Sequence, residues 1–523
     1  IYHYQLSRKR NSERHIELRN ETRRLSFLSL HGNGYKVKKK VTIKNDDAIK
    51  LLEEKREEIN NISPSFCSAK WLQTTLYLQT GFNHSCHHPS PHKIPIEEVE
   101  ANPAALHNSK FKKEQRAKML KGERPKECQY CWNIEDLNKN YFSDRHYKTS
   151  DYWAWDRLEE IATSDPNADI YPSYLEVSFS NACNFACAYC SPDISSKWMK
   201  DIKKNGPYPV EFGSHNLDHL RDRQQFPYSH GEKNPYVEAF DKWFPDAYPH
   251  LKVFRITGGE PTMSKDMWKT LDYIVNNPRE DLEISINTNL GVTKELIDRL
   301  ISYAKILDEK CKECVIYTSN ESHGAQADYV RDGMDYRYWY SNVKRILSET
   351  ECRVVVMTTV NMLSLPTFNY FIKDIIDLRH MYNRANFLNR IPLSVNYMRF
   401  PPHLQVTLLP EEIREKYASE IEEYANSWLE KERGKDVLEE WHKKGIITQL
   451  YLEEYNQIKR FCDYMRKEQT SGKKYRANFV QFIDAYDLRR NKNFSKIFPE
   501  YKELYEEWKK EYSEYFISVK EIS

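Results

Sequence analysis

Three cysteines inside eight residues constrain this chain more than any other feature. Cys183, Cys187 and Cys190 are spaced C-x3-C-x2-C. They follow a run, residues 174–180, whose alternation and β-branched or aromatic content predict a half-buried strand. Thiolates on a loop leaving a strand end can ligate three irons of one cubane iron–sulfur cluster. Most such clusters take four cysteines. A loop with three leaves one iron open to an exogenous ligand, as a chemically active cluster needs. Tetrahedral zinc also uses thiolates, so the triplet alone leaves a zinc site open.

Length and composition set the frame. A chain of 523 residues has room for about two or three domains and a large core. With 40% hydrophobic and 30% charged residues it reads as globular, and a net charge of +2 offers no overall basic footprint for nucleic acid. No run approaches the ~18 apolar residues of a membrane helix, and no secretory apolar region is present. Eleven cysteines are too sparse for a disulfide scaffold, and their clustering favours metal binding in a reducing cytoplasm. Residues 1–45 are expected to be a disordered arm or sequence upstream of the native start, since Glu13, Glu17 and Glu21 argue against an acid-poor targeting peptide.

A second set of cysteines lies upstream. A charged helix over 46–60 and a strand over 72–79 bracket Cys67, and Cys86 follows the strand. A helix over 110–121 then leads to Cys128 and Cys131, a C-x2-C knuckle. Four thiolates suffice for one closed site, either a second [4Fe–4S] cluster or a structural zinc. His84, His87, His88, His92 and His107 are close in sequence and are read as plain loop or surface histidines, because four cysteines already complete a site.

From residue 174 strands and helices alternate, which predicts βα units around a parallel sheet. Strands are expected over 174–180, 253–257, 283–289, 315–321, 354–359 and 393–398. Helices are expected over 195–203, 236–244, 293–304 and 365–378, with an irregular polar stretch over 204–235. The second of these strands ends in Gly258, Gly259, Glu260 and Pro261, where glycines let the backbone pass close to a ligand. Together, the three-cysteine loop with its aromatic Tyr189 and the Gly-Gly-Glu-Pro turn one βα unit later resemble the radical S-adenosylmethionine (SAM) superfamily.

That resemblance implies a partial (βα)6, TIM-like barrel over 170–404. It implies a [4Fe–4S] cluster on Cys183, Cys187 and Cys190 whose open iron takes SAM. Residues Gly258–Pro261 would meet the SAM amino group, and Tyr189 would contact the cofactor. Asn289 would meet a ribose hydroxyl, and Ser319 and Glu321 would present polar groups. Arg331 would pair with the SAM carboxylate; the alternative is a helix-surface arginine paired with Asp328. The implied reaction is reductive cleavage of SAM to a 5′-deoxyadenosyl radical that abstracts a substrate hydrogen. It requires a reducing electron donor such as flavodoxin or ferredoxin.

Residues 46–165 resemble the twitch domain, a half-sized relative of the SPASM auxiliary-cluster domain. The matching residues are Cys67 with Trp71, Cys86, Asn102 and Pro103, Arg116, Gly122, Arg124 and Pro125, and the run from Cys128 to Trp132. By that resemblance Cys67, Cys86, Cys128 and Cys131 hold an auxiliary [4Fe–4S] cluster. The favoured substrate is then a peptide or protein; the alternatives are a small metabolite such as a nucleotide or sugar, or a non-catalytic metal–sulfur redox sensor or scaffold.

Cys311 and Cys314 repeat the C-x2-C spacing without a second pair and are not expected to be ligands; Cys352 and Cys462 are expected to be small buried residues. Residues 405–523 change character to long charged helices over 410–433, 437–468 and 501–516. The basic groups at 473–476 and 489–490 read as a solvated surface.

Overall fold

The computed structural model describes residues 45–138, 140–211, 215–229, 232–383, 389–429, 450, 452–467 and 472–517. Of the expected arm, residues 1–44, and of the helices expected over 410–433 and 437–468, residues 430–433, 437–449, 451 and 468, lie outside the described residues. The chain divides into two compact units. One comprises residues 1–76, 81–176 and 235–254; the other comprises 77–80, 177–234 and 255–523.

Eleven strands are described: β1 Gln73–Tyr77, β2 Phe82–His84, β3 His92–Lys93, β4 Tyr174–Ser178, β5 Ala186–Cys187, β6 Val253–Thr257, β7 Glu283–Thr288, β8 Glu313–Ser319, β9 Arg331–Asp332, β10 Arg353–Met357 and β11 Leu393–Ser394. Strands β4, β6, β7, β8, β10 and β11 lie side by side in that order. This is the order of an open barrel laid down one βα unit at a time, and the pairs β7–β8, β8–β10 and β10–β11 are parallel. The fold is α/β with a central parallel sheet. Strand alternation decides its two faces. Ile284, Ile286, Cys314, Ile316, Val354 and Val356 are buried on one, whereas Asn287, Tyr317 and Met357 are half-exposed on the other.

Local signals account for where the helices begin. Ser195 caps Ser196–Asn205 by accepting from the Trp198 amide, and Gly206, at φ +79°, ends that helix. Ser264 caps Lys265–Asn276 and Asp335 caps Tyr336–Glu349 in the same way. In the first unit Ile59, Phe66, Trp71, Leu72, Met119, Trp132 and Trp153 form the core.

Four expectations need correction. The stretch over 204–235 is not wholly irregular: Leu217–Asp222 is helical because Asn216 caps it and Leu217 and Leu220 are buried. The last sheet strand is two residues long, with Val360 and Tyr397 meeting in an isolated parallel bridge. A helix the charge pattern concealed, Gly472–Arg490, carries Arg489 and Arg490 into contact rather than into solvent; their side chains are 11% and 6% exposed. Finally, His84 and His107 are buried, not surface residues. Cys352 and Cys462 are buried, as expected. Among the described residues no helix is long and apolar enough to cross a membrane.

Candidate functional site

The cysteine triplet occupies a short, heavily bonded loop after β4. Cys187 lies in β5, which pairs antiparallel with β9, so that Cys187 stands opposite Arg331 and Ala186 opposite Asp332. The Phe185 amide donates to the Cys183 Sγ at 3.4 Å, and the Cys190 amide donates to the Cys187 carbonyl at 2.9 Å. Burial pushes the Cys183 thiol up to about 12 and raises Cys187 and Cys190; neighbouring thiols add to the rise at Cys183 and Cys190, while Arg331 opposes it at Cys187. As protonated thiols they are poor ligands; binding a metal or cluster relieves both penalties by replacing the protons.

The Gly-Gly-Glu-Pro turn is built against this loop. The Gly259 and Glu260 amides donate to the carbonyls of Ser180 and Ala182 at 3.4 and 2.7 Å. A Cβ on Gly259 would stand 2.6 Å from the Ala182 carbonyl oxygen and 2.7 Å from that of Ile194, and Gly258 has φ +126°. Here the glycines are required by chain packing as well as by whatever approaches the turn. The buried Glu260 carboxylate accepts from the Asn289 amide at 2.6 Å and from Thr262 Oγ1 at 2.7 Å, joining the ends of β6 and β7. Asn289 Nδ2 donates to Asn184 Oδ1 at 2.8 Å, so the expected ribose-contacting residue is fastened to the cysteine loop. Ser319 closes β8, half-exposed.

Arg331 is not on a helix surface with Asp328. It is 5% exposed and makes a two-pronged pair with the fully buried Glu321, Nε to Oε1 at 3.1 Å and Nη2 to Oε2 at 2.6 Å. Its Nη1 reaches the Cys187 Sγ at 3.9 Å. Burial opposes the charge on Arg331, but Glu321 outweighs it and the guanidinium stays protonated. The Tyr189 hydroxyl donates to the same carboxylate at 3.0 Å. Tyr189, Glu321 and Arg331 therefore form one buried network beside Cys187, which their sequence positions did not reveal.

In the first unit Cys67, Cys86, Cys128 and Cys131 converge on the edge of one apolar core. Burial raises Cys67, and lifts Cys128 to about 12 and Cys131 to about 11; the other three thiols add to the rise at Cys67, as do Cys86 and Cys131 at Cys128, and Cys86 at Cys131. Basic side chains are buried in the same unit. Lys70 is buried and pairs with Glu127, and Arg145 pairs with Glu135 at 2.7 Å. Buried Arg116 donates to the Lys70 carbonyl at 3.1 Å and Asn108 Oδ1 at 2.9 Å. Lys112, also buried, donates to His107 Nδ1 at 2.9 Å and the Gln73 carbonyl at 3.1 Å, and burial holds its ammonium well below the usual range. His107 in turn donates through Nε2 to the Trp71 carbonyl at 2.6 Å. Burial lowers His84 to about 4 and His92 to about 3.

Cys311 and Cys314 are buried at the start of β8, Cys314 bonded to the Cys352 thiol. Among the described residues no group of three or more His, Cys, Asp or Glu stands placed to hold a metal ion. Sequence reasoning missed Trp198, whose Nε1 donates to the Cys187 carbonyl at 2.8 Å, and the stripe Phe482, Tyr486 and Arg490. The signal was present as an i, i+4, i+8 spacing in Gly472–Arg490.

Comparison with known proteins agrees with this geometry. Residues 177–309 match the radical SAM superfamily. A GTP 3′,8-cyclase of Campylobacter lari is 25% identical over 122 residues, which is 23% of this chain and 29% of that protein. The match thus spans under a third of the relative's length. The matched segment contains Cys183, Cys187, Cys190 and the Gly258–Pro261 turn; the superfamily it is similar to is one that implies a [4Fe–4S] cluster and SAM.

Proposed function

We propose that this protein is a radical SAM enzyme that cleaves SAM reductively and abstracts a hydrogen from its substrate, using a second, auxiliary cluster in the first unit. The observation that carries this reading is the joining of the Gly258–Pro261 turn, through the Gly259 and Glu260 amides, to the Ser180 and Ala182 carbonyls immediately ahead of the three-cysteine run, within the matched segment. The donor set fits the cluster: three thiols on one loop, with no fourth cysteine in it. When bound and reduced, the cluster and SAM together supply a 5′-deoxyadenosyl radical.

The chain's own residues then do the rest. Cys183, Cys187 and Cys190 give up their protons on loading. Glu260 and Asn289 hold the turn and the loop in register, and Arg331 keeps a positive charge beside Cys187. The Tyr189–Glu321–Arg331 network fixes that charge. A reductant such as flavodoxin or ferredoxin would supply the electron.

For the auxiliary cluster, the support is the convergence of four cysteines from separate elements on the edge of one core, with buried Lys70 close enough to Cys128 and Cys86 to feel their charge. Lys70 is already paired with Glu127, and a four-thiolate cluster would be a second anion beside it.

The peptide or protein substrate rests on the likeness of residues 46–165 to a twitch domain. A nucleotide substrate is the second reading, favoured by the likeness to a GTP 3′,8-cyclase. The test is anaerobic reconstitution and reduction with SAM. Methionine and 5′-deoxyadenosine are the expected products, and about eight irons per chain are expected for two cubanes. Absence of 5′-deoxyadenosine rejects the enzyme reading in favour of a redox sensor or scaffold. Product masses after turnover with peptides and with nucleoside triphosphates separate the two substrate classes.

A further inference from the structure

The ribbon of β5 and β9 carries Cys187 on one strand and Arg331 on the other, yet it is only two residue pairs long. So short a ribbon is marginal by itself. What holds it comes from about 300 residues further along the chain. Tyr486 is fully buried in Gly472–Arg490, and its hydroxyl lies 3.3 Å from the Ala186 carbonyl oxygen and 3.0 Å from that of Tyr329. One hydroxyl thereby bridges the backbone on both sides of the ribbon. Beside it the Arg490 guanidinium lies against the rings of both Tyr486 and Trp198, 4.1 and 4.4 Å from their centroids, and pairs with Asp201 at 3.2 Å and Asp332 at 3.5 Å. Trp198 itself donates to the Cys187 carbonyl. Lys492 completes the clasp, bonding the Asp328 carbonyl at 2.8 Å and Asp332 Oδ1 at 3.0 Å.

We propose that Tyr486 is a positioning residue for the three-cysteine loop: its bridge to Ala186 and Tyr329 sets where Cys187 and Arg331 stand, which makes the C-terminal helix part of the cofactor-binding machinery. This rests on the radical SAM reading of the loop. A peripheral cap or docking surface would touch the outside of the barrel helices. This helix instead reaches the backbone of a cysteine ligand's own strand, through a polar group that has no other reason to be buried there.

The experiment uses the full chain and Tyr486→Phe, which keeps the ring against Arg490 and removes only the hydroxyl. In cluster-free protein, hydrogen exchange at the Ala188 amide, which donates to the Val330 carbonyl at 2.7 Å, is expected to be about tenfold faster in Y486F, as loss of one bridging hydrogen bond implies. In reconstituted, reduced protein, the change that SAM produces in the cluster's electron paramagnetic resonance spectrum is expected to need about tenfold more SAM. Tyr505→Phe, which loses a bond to Asp484 in the same region, should match wild type in both measurements.

Equal exchange and equal SAM dependence in Y486F and wild type overturn the proposal while leaving the radical SAM reading intact. A wild-type spectrum that ignores SAM removes that reading, and the proposal with it. Should Y486F fail to melt cooperatively, Tyr486→Met, which also removes the hydroxyl, takes its place; an unchanged spectrum there overturns the proposal equally.

Discussion

The two sets of cysteines lie in differently built electrostatic surroundings. Beside Cys187, Arg331 lies against Glu321, and Lys197, Arg490 and Lys492 gather on Asp332. In the first unit Lys70 pairs with Glu127 and Arg145 with Glu135, whereas Arg116 and Lys112 bond to carbonyls, an amide and an imidazole. The comparison teaches that the basic side chains of the three-cysteine loop are tied to carboxylates throughout, and those of the first unit only in part.

Cys187→Ala should break the comparison most severely. SAM cleavage is expected to fall by at least on the order of a thousandfold, with about half the iron retained, measured by 5′-deoxyadenosine yield and iron assay. Cys128→Ser should do the reverse. Cleavage without substrate is expected to stay within about twofold of wild type, while substrate turnover falls roughly ten- to a hundredfold. If both variants lose cleavage alike, the two sites are not independent and the contrast fails.

Charge balance can be tested apart from chemistry. Glu321→Gln leaves Arg331 buried beside Cys187 without a counter-charge, and chemical denaturation of cluster-free protein should show a loss of about 3 kcal/mol. The acid limb probes the other site. His92 is held neutral, its pKa lowered by burial from 6.5 to about 3. Its contribution is therefore present above pH 6.5 and lost as pH falls towards 3, because the unfolded chain binds the proton first. His92→Gln should shift acid unfolding of the cluster-free protein to lower pH, by an amount worth on the order of 3 kcal/mol. The mildest effect belongs to Tyr189→Phe. Losing one bond to the Glu321 carboxylate should cost about 1 kcal/mol in the same denaturation experiment.

Much of the second unit was legible from the chain. The strand before Gly258 was placed at its observed bounds, because β-branched and aromatic residues end there at two glycines. The triplet was equally plain, since its three cysteines lie within eight residues of one loop. The burial of His84 and His107 was not, because nothing local distinguishes a loop histidine from one packed behind Lys112 and Trp71. Arg331 shows the same limit. Its two candidate partners were SAM and Asp328, and the fold adds Glu321, ten residues away across the helix Gly324–Val330.

What the amino-acid sequence determined by itself is the order of elements and the chemistry offered at their ends: period-two alternation for strands, capping residues for helices, and a loop with three thiols before a glycine-rich turn. These are short-range properties, set by backbone sterics and by groups a few residues apart. Only the tertiary structure decided which charges are balanced and which distant hydroxyl steadies the cysteine loop. Tyr486 and Ala186 are 300 positions apart, and desolvation exists only once a core has closed around a group. No pattern within a window of residues carries either fact.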